Sequence, residues 1–152
     1  MTHHEVEILY IEDNPADVEL TLVALRRSKL ANRIQIARDG AEALDFLFCR
    51  GAHAEREFAV PKMVLLDIKL PKVDGIEVLH AIREDERTRM IPVVVLTSSN
   101  EQKDMVESYE LHVNSYIQKP VEFDQFQEVV RQLGLYWLVV NQTPLPERSL
   151  IR

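Results

Sequence analysis

Only one cysteine, Cys49, occurs in 152 residues. No internal disulfide can form, and a reducing cytoplasm is the expected compartment. Cys49 falls in a stretch that reads as amphipathic helix, where it is most simply a packing residue. Glycine and proline are sparse, at 4 and 7 residues, while 46% of the chain is hydrophobic. That composition excludes a disordered chain. No apolar run approaches the ~20 residues that cross a bilayer, so no membrane association is expected. The opening Met1-Thr2-His3-His4-Glu5 has no basic segment before an apolar one, so no signal peptide is expected either. His3-His4 reads as a solvated tail. There is no Lys/Arg block, and the formal net charge is -7. Duplex nucleic acid, bound through phosphate neutralisation, is a poor fit to that balance. Repeats, low-complexity tracts and interdomain linkers are also missing, and the length suits one domain with a sizeable core.

What the chain does have is short apolar runs that end in polar groups. Met63-Val64-Leu65-Leu66 ends in Asp67, and Val6-Glu7-Ile8-Leu9-Tyr10-Ile11 ends in Glu12-Asp13. Val93-Val94-Val95-Leu96 ends in Thr97, and Tyr116-Ile117-Gln118 ends in Lys119-Pro120. Continuous rather than alternating apolar runs belong to strands covered on both faces. If they lie side by side in one parallel sheet, all these polar groups meet at one edge.

Helical stretches separate the runs. Asn14 is an N-cap with Pro15 at the first helical position, and Val18, Leu22 and Leu25 form the inner stripe. After a short strand over Ile34–Ala37, Asp39-Gly40-Ala41-Glu42 has capping-box spacing. It opens a helix with Leu44, Leu47 and Phe48 inward, which Gly51 closes in a left-handed conformation. A long polar loop reaches Pro61. Asp74 and Glu77 form a second capping box ahead of Val78, Leu79 and Ile82. Ser99 or Asn100 caps a helix running to Glu110. A strand over Ser115–Gln118 follows, then a helix from near Glu122 that buries Phe126, Val129, Val130 and Leu133. Five strand–helix units with right-handed crossovers give an α/β fold, a doubly wound five-stranded parallel sheet. Sites on such sheets lie beyond the carboxyl ends of the strands.

Three carboxylates brought together at that edge repel one another unless a cation neutralises them or their pKa values rise. An oxygen-only set without His or Cys suits Mg2+, with Mn2+ a second choice. Asp67 is then a plausible nucleophile that takes up a phosphoryl group as an acyl phosphate. The loose transition state spreads charge over three oxygens, which Mg2+, the Lys119 ammonium, the Thr97 hydroxyl and backbone N–H groups would neutralise.

Four segments together resemble the receiver domain of two-component response regulators, the fold of the chemotaxis response regulator. They are Tyr10-Ile11-Glu12-Asp13-Asn14, the stretch from Leu65 through Asp67-Ile68-Lys69-Leu70-Pro71-Lys72-Val73-Asp74 to Gly75, Pro92 to Ser98, and Ser115 to Pro120. The resemblance covers residues 5 to 138 and implies the flavodoxin-like strand order 2-1-3-4-5. It makes Asp67 the phosphoacceptor, charged from a phosphohistidine on a sensor histidine kinase. It assigns Mg2+ to Asp13 directly, to Glu12 through water, to Asp67 and to the backbone carbonyl of Lys69. Lys119 and Thr97 then hold phosphoryl oxygens, a cis Lys119-Pro120 peptide aims the lysine, and Tyr116 is the switch aromatic. Phosphorylation draws Thr97 to the site and turns Tyr116 inward, which shifts a two-state surface.

Other features carry plainer readings. Asp74-Gly75 needs only turn and cap chemistry, His112 is an ordinary loop residue, and the Lys69 side chain is a solvated surface lysine. Ser98 departs from the small alanine frequent after the switch hydroxyl in the family. Leu135, Tyr136, Trp137, Leu138, Val139 and Val140 cannot all face inward from one helix, so either the tail from Asn141 folds back over them or a partner covers them, and a homodimer through the last helix and tail is the expectation. A receiver over residues 5–140 with a tail over 141–152 and no output domain is the expected organisation. The stretch Leu111 to Val121 and the long Gly51–Pro61 loop are similar to stand-alone receivers that partner phytochrome-type kinases. Signalling by phosphorelay, rather than turnover as an enzyme, is therefore expected. Three alternatives compete. A dehalogenase-like phosphatase would need an acid where Lys69 stands. A flavodoxin-like carrier would need a phosphate-cradling loop where Glu12-Asp13-Asn14-Pro15 stands. A phosphate-independent receiver-like adaptor or dimerisation module is the runner-up.

Overall fold

The computed structural model describes residues 8–27, 33–68, 70, 73–97, 111–119 and 122–132. Strands β1 (Ile8–Ile11), β2 (Ile34–Ala37), β3 (Met63–Asp67), β4 (Val93–Thr97) and β5 (Ser115–Gln118) form one sheet. Its order is β2-β1-β3-β4-β5, and every pairing is parallel. Helices α1 (Pro15–Arg27), α2 (Gly40–Leu47), α3 (Gly75–Glu84) and α4 (Phe123–Gln132) cover it. The expected sheet and strand order are both observed.

Side chains alternate across each strand, and the alternation sorts the core into two layers. Leu9, Ile11, Val64, Leu66, Val93 and Val95 pack with α2 and α3. Ile8, Tyr10, Leu65, Leu96 and Ile117 pack with Val18 and Leu25 of α1 and Phe126 of α4. β1 and β3 are buried at every position, as continuous apolar runs require.

The helix starts match their capping residues. Asn14 Oδ1 accepts from the N–H groups of Ala16 at 2.8 Å and Asp17 at 3.1 Å. Asp74 and Glu77 form the full reciprocal box. The Asp39 box is lopsided: Asp39 caps Glu42 N–H at 2.8 Å, but the Glu42 carboxylate reaches past the cap to Arg38 N–H at 2.9 Å.

The structure corrects three expectations. In α2 the fully buried side chains are Ala43, Phe46 and Leu47; Leu44 and Phe48 do pack against the core but stay half-buried, because the inner stripe centres on Phe46, which the expected stripe left out. Gly51 does have a positive φ of 55°, but it opens a separate 3-10 turn. The left-handed residue that ends α2 is Cys49, at φ 57°, and the following Arg50 N–H returns to Asp45 O at 2.8 Å. His112 is no ordinary loop residue: its φ is 55°, and its carbonyl accepts from Arg83 at 2.9 Å.

Two arginines organise the edge of the sheet at the amino ends of β3, β4 and β5. Arg83 donates to the carbonyls of Leu111 at 3.0 Å, Arg89 at 2.7 Å, Ile91 at 2.8 Å and His112. Arg56 donates to the carbonyls of Phe46, Glu57 and Ala59 and lies 3.9 Å from the Phe46 ring centroid. It folds the long loop back onto α2.

Candidate phosphoacceptor site

Register builds the site. Ile11 pairs with Leu66, Asp67 with Leu96, and Leu96 with Ile117, so the next residues of all four strands share one edge. Pleating then selects the face. Glu12 follows Tyr10 by two, Asp67 follows Leu65 by two and Lys119 follows Ile117 by two, all on the α1/α4 side. Tyr116 has the opposite parity and packs half-buried on the α2/α3 side.

One oxygen from each of Glu12, Asp13 and Asp67 lies within 4.8 Å of the others. Glu12 is wholly buried and Asp67 nearly so, while Asp13 is exposed at the mouth. The Lys119 ammonium donates to Asp67 Oδ2 at 3.0 Å and to Glu12, whose two oxygens lie 3.1 and 3.2 Å away. It also donates to Asp17 Oδ2 at 2.9 Å. Asp17 was not picked out from the sequence, where it reads as a first-turn acid that complements the α1 dipole. The available signal was its position: three residues after the Asn14 cap, an acid sits on the turn nearest the strand tips.

Burial pushes the Glu12 carboxyl up to about 7, reinforced by its hydrogen bond with Asp67 and by that residue's charge, and opposed by Lys119. Burial pulls the Lys119 ammonium down, but its hydrogen bonds to Asp17 and Asp67 outweigh this and hold it well above the ordinary lysine value. Beneath them the Tyr10 hydroxyl lies 2.9 Å from buried Thr21 Oγ1 and 3.5 Å from Glu12 Oε1. Burial pushes that phenol up as well, so it stays protonated.

Asp74-Gly75 has the cap chemistry read from the sequence, and Gly75 also packs against the backbone beneath the site. Its N–H donates to Ile68 O at 3.0 Å, and a Cβ there would lie 2.6 Å from the Asp67 carbonyl oxygen. Only glycine lets the start of α3 rest on the backbone of Asp67 and Ile68.

The donor set fits a hard divalent cation. It is oxygen-only, one member faces solvent, and the ammonium already among the acids shows that the cluster attracts positive charge. β4 carries Thr97 to the same edge, paired with Gln118. The Thr97 side chain, the Lys69 carbonyl and the Lys119-Pro120 peptide lie outside the described residues. So do the proposed dimer surface at Leu135, Tyr136, Trp137, Leu138 and Val140, and the helix expected after Ser99.

A 2-1-3-4-5 parallel sheet with buried acids and a lysine at its carboxyl edge defines a receiver-type signalling domain. The chain belongs to the response regulator receiver domain family, which matches residues 8–131. It is 45% identical over 139 residues to the probable methanogenesis regulatory protein FilR2 of Methanothrix harundinacea, covering 91% of this chain and 88% of that protein. Among solved structures it is similar to the bacteriophytochrome response regulator RtBRR, with 51% identity and a TM-score of 0.83 over 94% of this chain and 83% of that one. It is also similar to the Mn2+-bound form of response regulator Rcp1 from Synechocystis, at 39% identity and a TM-score of 0.68, covering 86% and 93% of the two chains.

Proposed function

We propose that this receiver accepts a phosphoryl group on Asp67 from a sensor histidine kinase. The observation that carries the reading is the convergence of Glu12, Asp13, Asp67 and Lys119 at one sheet edge. An Asp67 oxygen attacks phosphorus, a P–O bond forms, and the P–N bond of the kinase phosphohistidine breaks with its electron pair leaving on the imidazole. Lys119 neutralises a phosphoryl oxygen, and Thr97 at the end of β4 supplies a hydroxyl to another. Glu12, Asp13, Asp67 and the Lys69 carbonyl would hold Mg2+, or Mn2+. The bound cation would supply positive charge to the phosphoryl oxygens as the bond forms. The protein promotes its own modification and slow dephosphorylation and is not a turnover enzyme. Its output is a protein-contact surface switched through Thr97 and Tyr116, with a homodimer formed through residues 135–140.

Likeness to RtBRR and Rcp1 supports a phytochrome-type kinase as the partner, and with it a cytoplasmic setting. Incubation with Mg2+ and acetyl phosphate, read by intact mass, tests the core claim. Wild type gains one labile phosphoryl group and Asp67→Asn gains none; equal labelling of both would remove Asp67 from this role. Transfer from a phosphorylated phytochrome kinase, compared with unrelated histidine kinases, tests the partner. Sedimentation with and without the phosphodonor tests the dimer.

A further inference from the structure

An ammonium has three N–H donors, and Lys119 meets three carboxylates: Asp17, Asp67 and Glu12. Asp17 stands outside the three acids whose oxygens converge within 4.8 Å, so the cation cluster does not explain it. Its contact is also the shortest of those made by Lys119, at 2.9 Å. Three ties hold Asp17 in place. Its N–H donates to Asn14 Oδ1 at 3.1 Å. Its carbonyl lies 3.4 Å from the Tyr10 hydroxyl. That hydroxyl is in turn locked 2.9 Å from Thr21, one turn further along α1. The acid therefore projects from a helix turn fixed to the interior strand β1, toward a lysine 102 residues away in sequence.

We propose that Asp17 is a positioning residue for phosphoryl transfer: it anchors the Lys119 ammonium from the α1 side, so that the N–H now on Asp67 Oδ2 passes to a phosphoryl oxygen while the other two stay in place. The inference rests on the phosphoacceptor reading of the same site. When Asp67 becomes an acyl phosphate, its carboxylate charge is lost and two negative charges appear on the phosphoryl oxygens. The third N–H follows that charge. A lysine on a flexible four-carbon stem otherwise has to be ordered at that moment, and ordering it beforehand lowers the barrier. With Asp17 replaced by a neutral amide, the ammonium settles toward Glu12 and away from the line of attack.

The test compares Asp17→Asn, Asp17→Glu and Asp67→Asn in the full chain at saturating Mg2+. Acetyl phosphate is varied, and labelling is followed by intact mass. Asp17→Asn is expected to lower the maximal labelling rate by about tenfold, less than the roughly 10²-fold lost with a direct transition-state donor. Donor half-saturation is expected to hold steady, and Asp17→Glu to recover most of the rate. A second readout needs no metal and no turnover. The Lys119 ammonium resonance, slowed in solvent exchange by its three acceptors, is expected to broaden in Asp17→Asn and to return in Asp17→Glu. Wild-type labelling rate and an unchanged ammonium signal in Asp17→Asn, with Asp67→Asn unlabelled, would overturn the role of Asp17 alone. Equal labelling of Asp67→Asn and wild type, or no label on either, would overturn the phosphoacceptor reading and this inference with it.

Discussion

At the carboxyl edge of the sheet, Lys119 lies among Glu12, Asp17 and Asp67, and one of its three acceptors is the proposed phosphoacceptor. At the opposite edge, Arg83 and Arg56 donate to backbone carbonyls, and Arg56 also lies over the Phe46 ring. The amino-edge arginines have partners that nothing in the reaction would take away. In the proposed phosphoryl transfer one partner of the carboxyl-edge lysine, Asp67, loses its carboxylate charge. One end of the molecule uses cations to fix loops, and the other sets a cation among three acids, one of them the proposed phosphoacceptor. That contrast assigns rigidity and chemistry to different ends of the same strands.

Three substitutions or conditions sharpen the contrast. Replacing Lys119 by Met removes the ammonium and leaves two buried acids facing each other. Phosphoryl labelling of Asp67 is expected to slow about 10²-fold, measured by intact mass at saturating Mg2+. Arg83→Met strips four carbonyls of their donor. A stability loss of about 3 kcal/mol is expected in urea unfolding, with labelling of the folded protein unchanged. If Arg83→Met slowed labelling as much as Lys119→Met, the two edges would not be separable.

The smallest effect concerns pH. Glu12 holds its proton up to about 7 in the folded chain, against 4.5 for an ordinary glutamate. Between those values the folded state binds more protons than the unfolded one, so its stability falls as pH rises. In chelator, a loss on the order of 3 kcal/mol is expected from pH 4.5 to above pH 7, followed by thermal melts. Glu12→Gln removes that slope. Mg2+ flattens it, because the cation takes over the role of the proton.

Much of this was legible in the residues. Continuous apolar runs gave away the buried parallel strands, and Asn14 and Asp74 marked helix starts that the structure keeps. Glu12, Asp13, Asp67 and Lys119 could be paired because each ends a run. Asp17 escaped because helix-terminal chemistry already accounts for an acid there; its lysine partner is near only once β1 and β5 share a sheet. Arg83 escaped for the same reason, since the Leu111 and His112 carbonyls it holds are 28 and 29 residues away. Cys49 and His112 occupy left-handed backbone that few non-glycine residues adopt; a cysteine does not announce such a turn, and a histidine is enriched there only several-fold, too little to place one.

The pleat of β5 has a consequence for how this chain tolerates change. Ile117 and Lys119 share a face only because a single residue, Gln118, separates them. Deleting Gln118 would leave the pairing of Ser115, Tyr116 and Ile117 in place while turning the lysine onto the α2/α3 layer. Such a protein would fold, yet be mute: a one-residue frame error written in three dimensions rather than in codons.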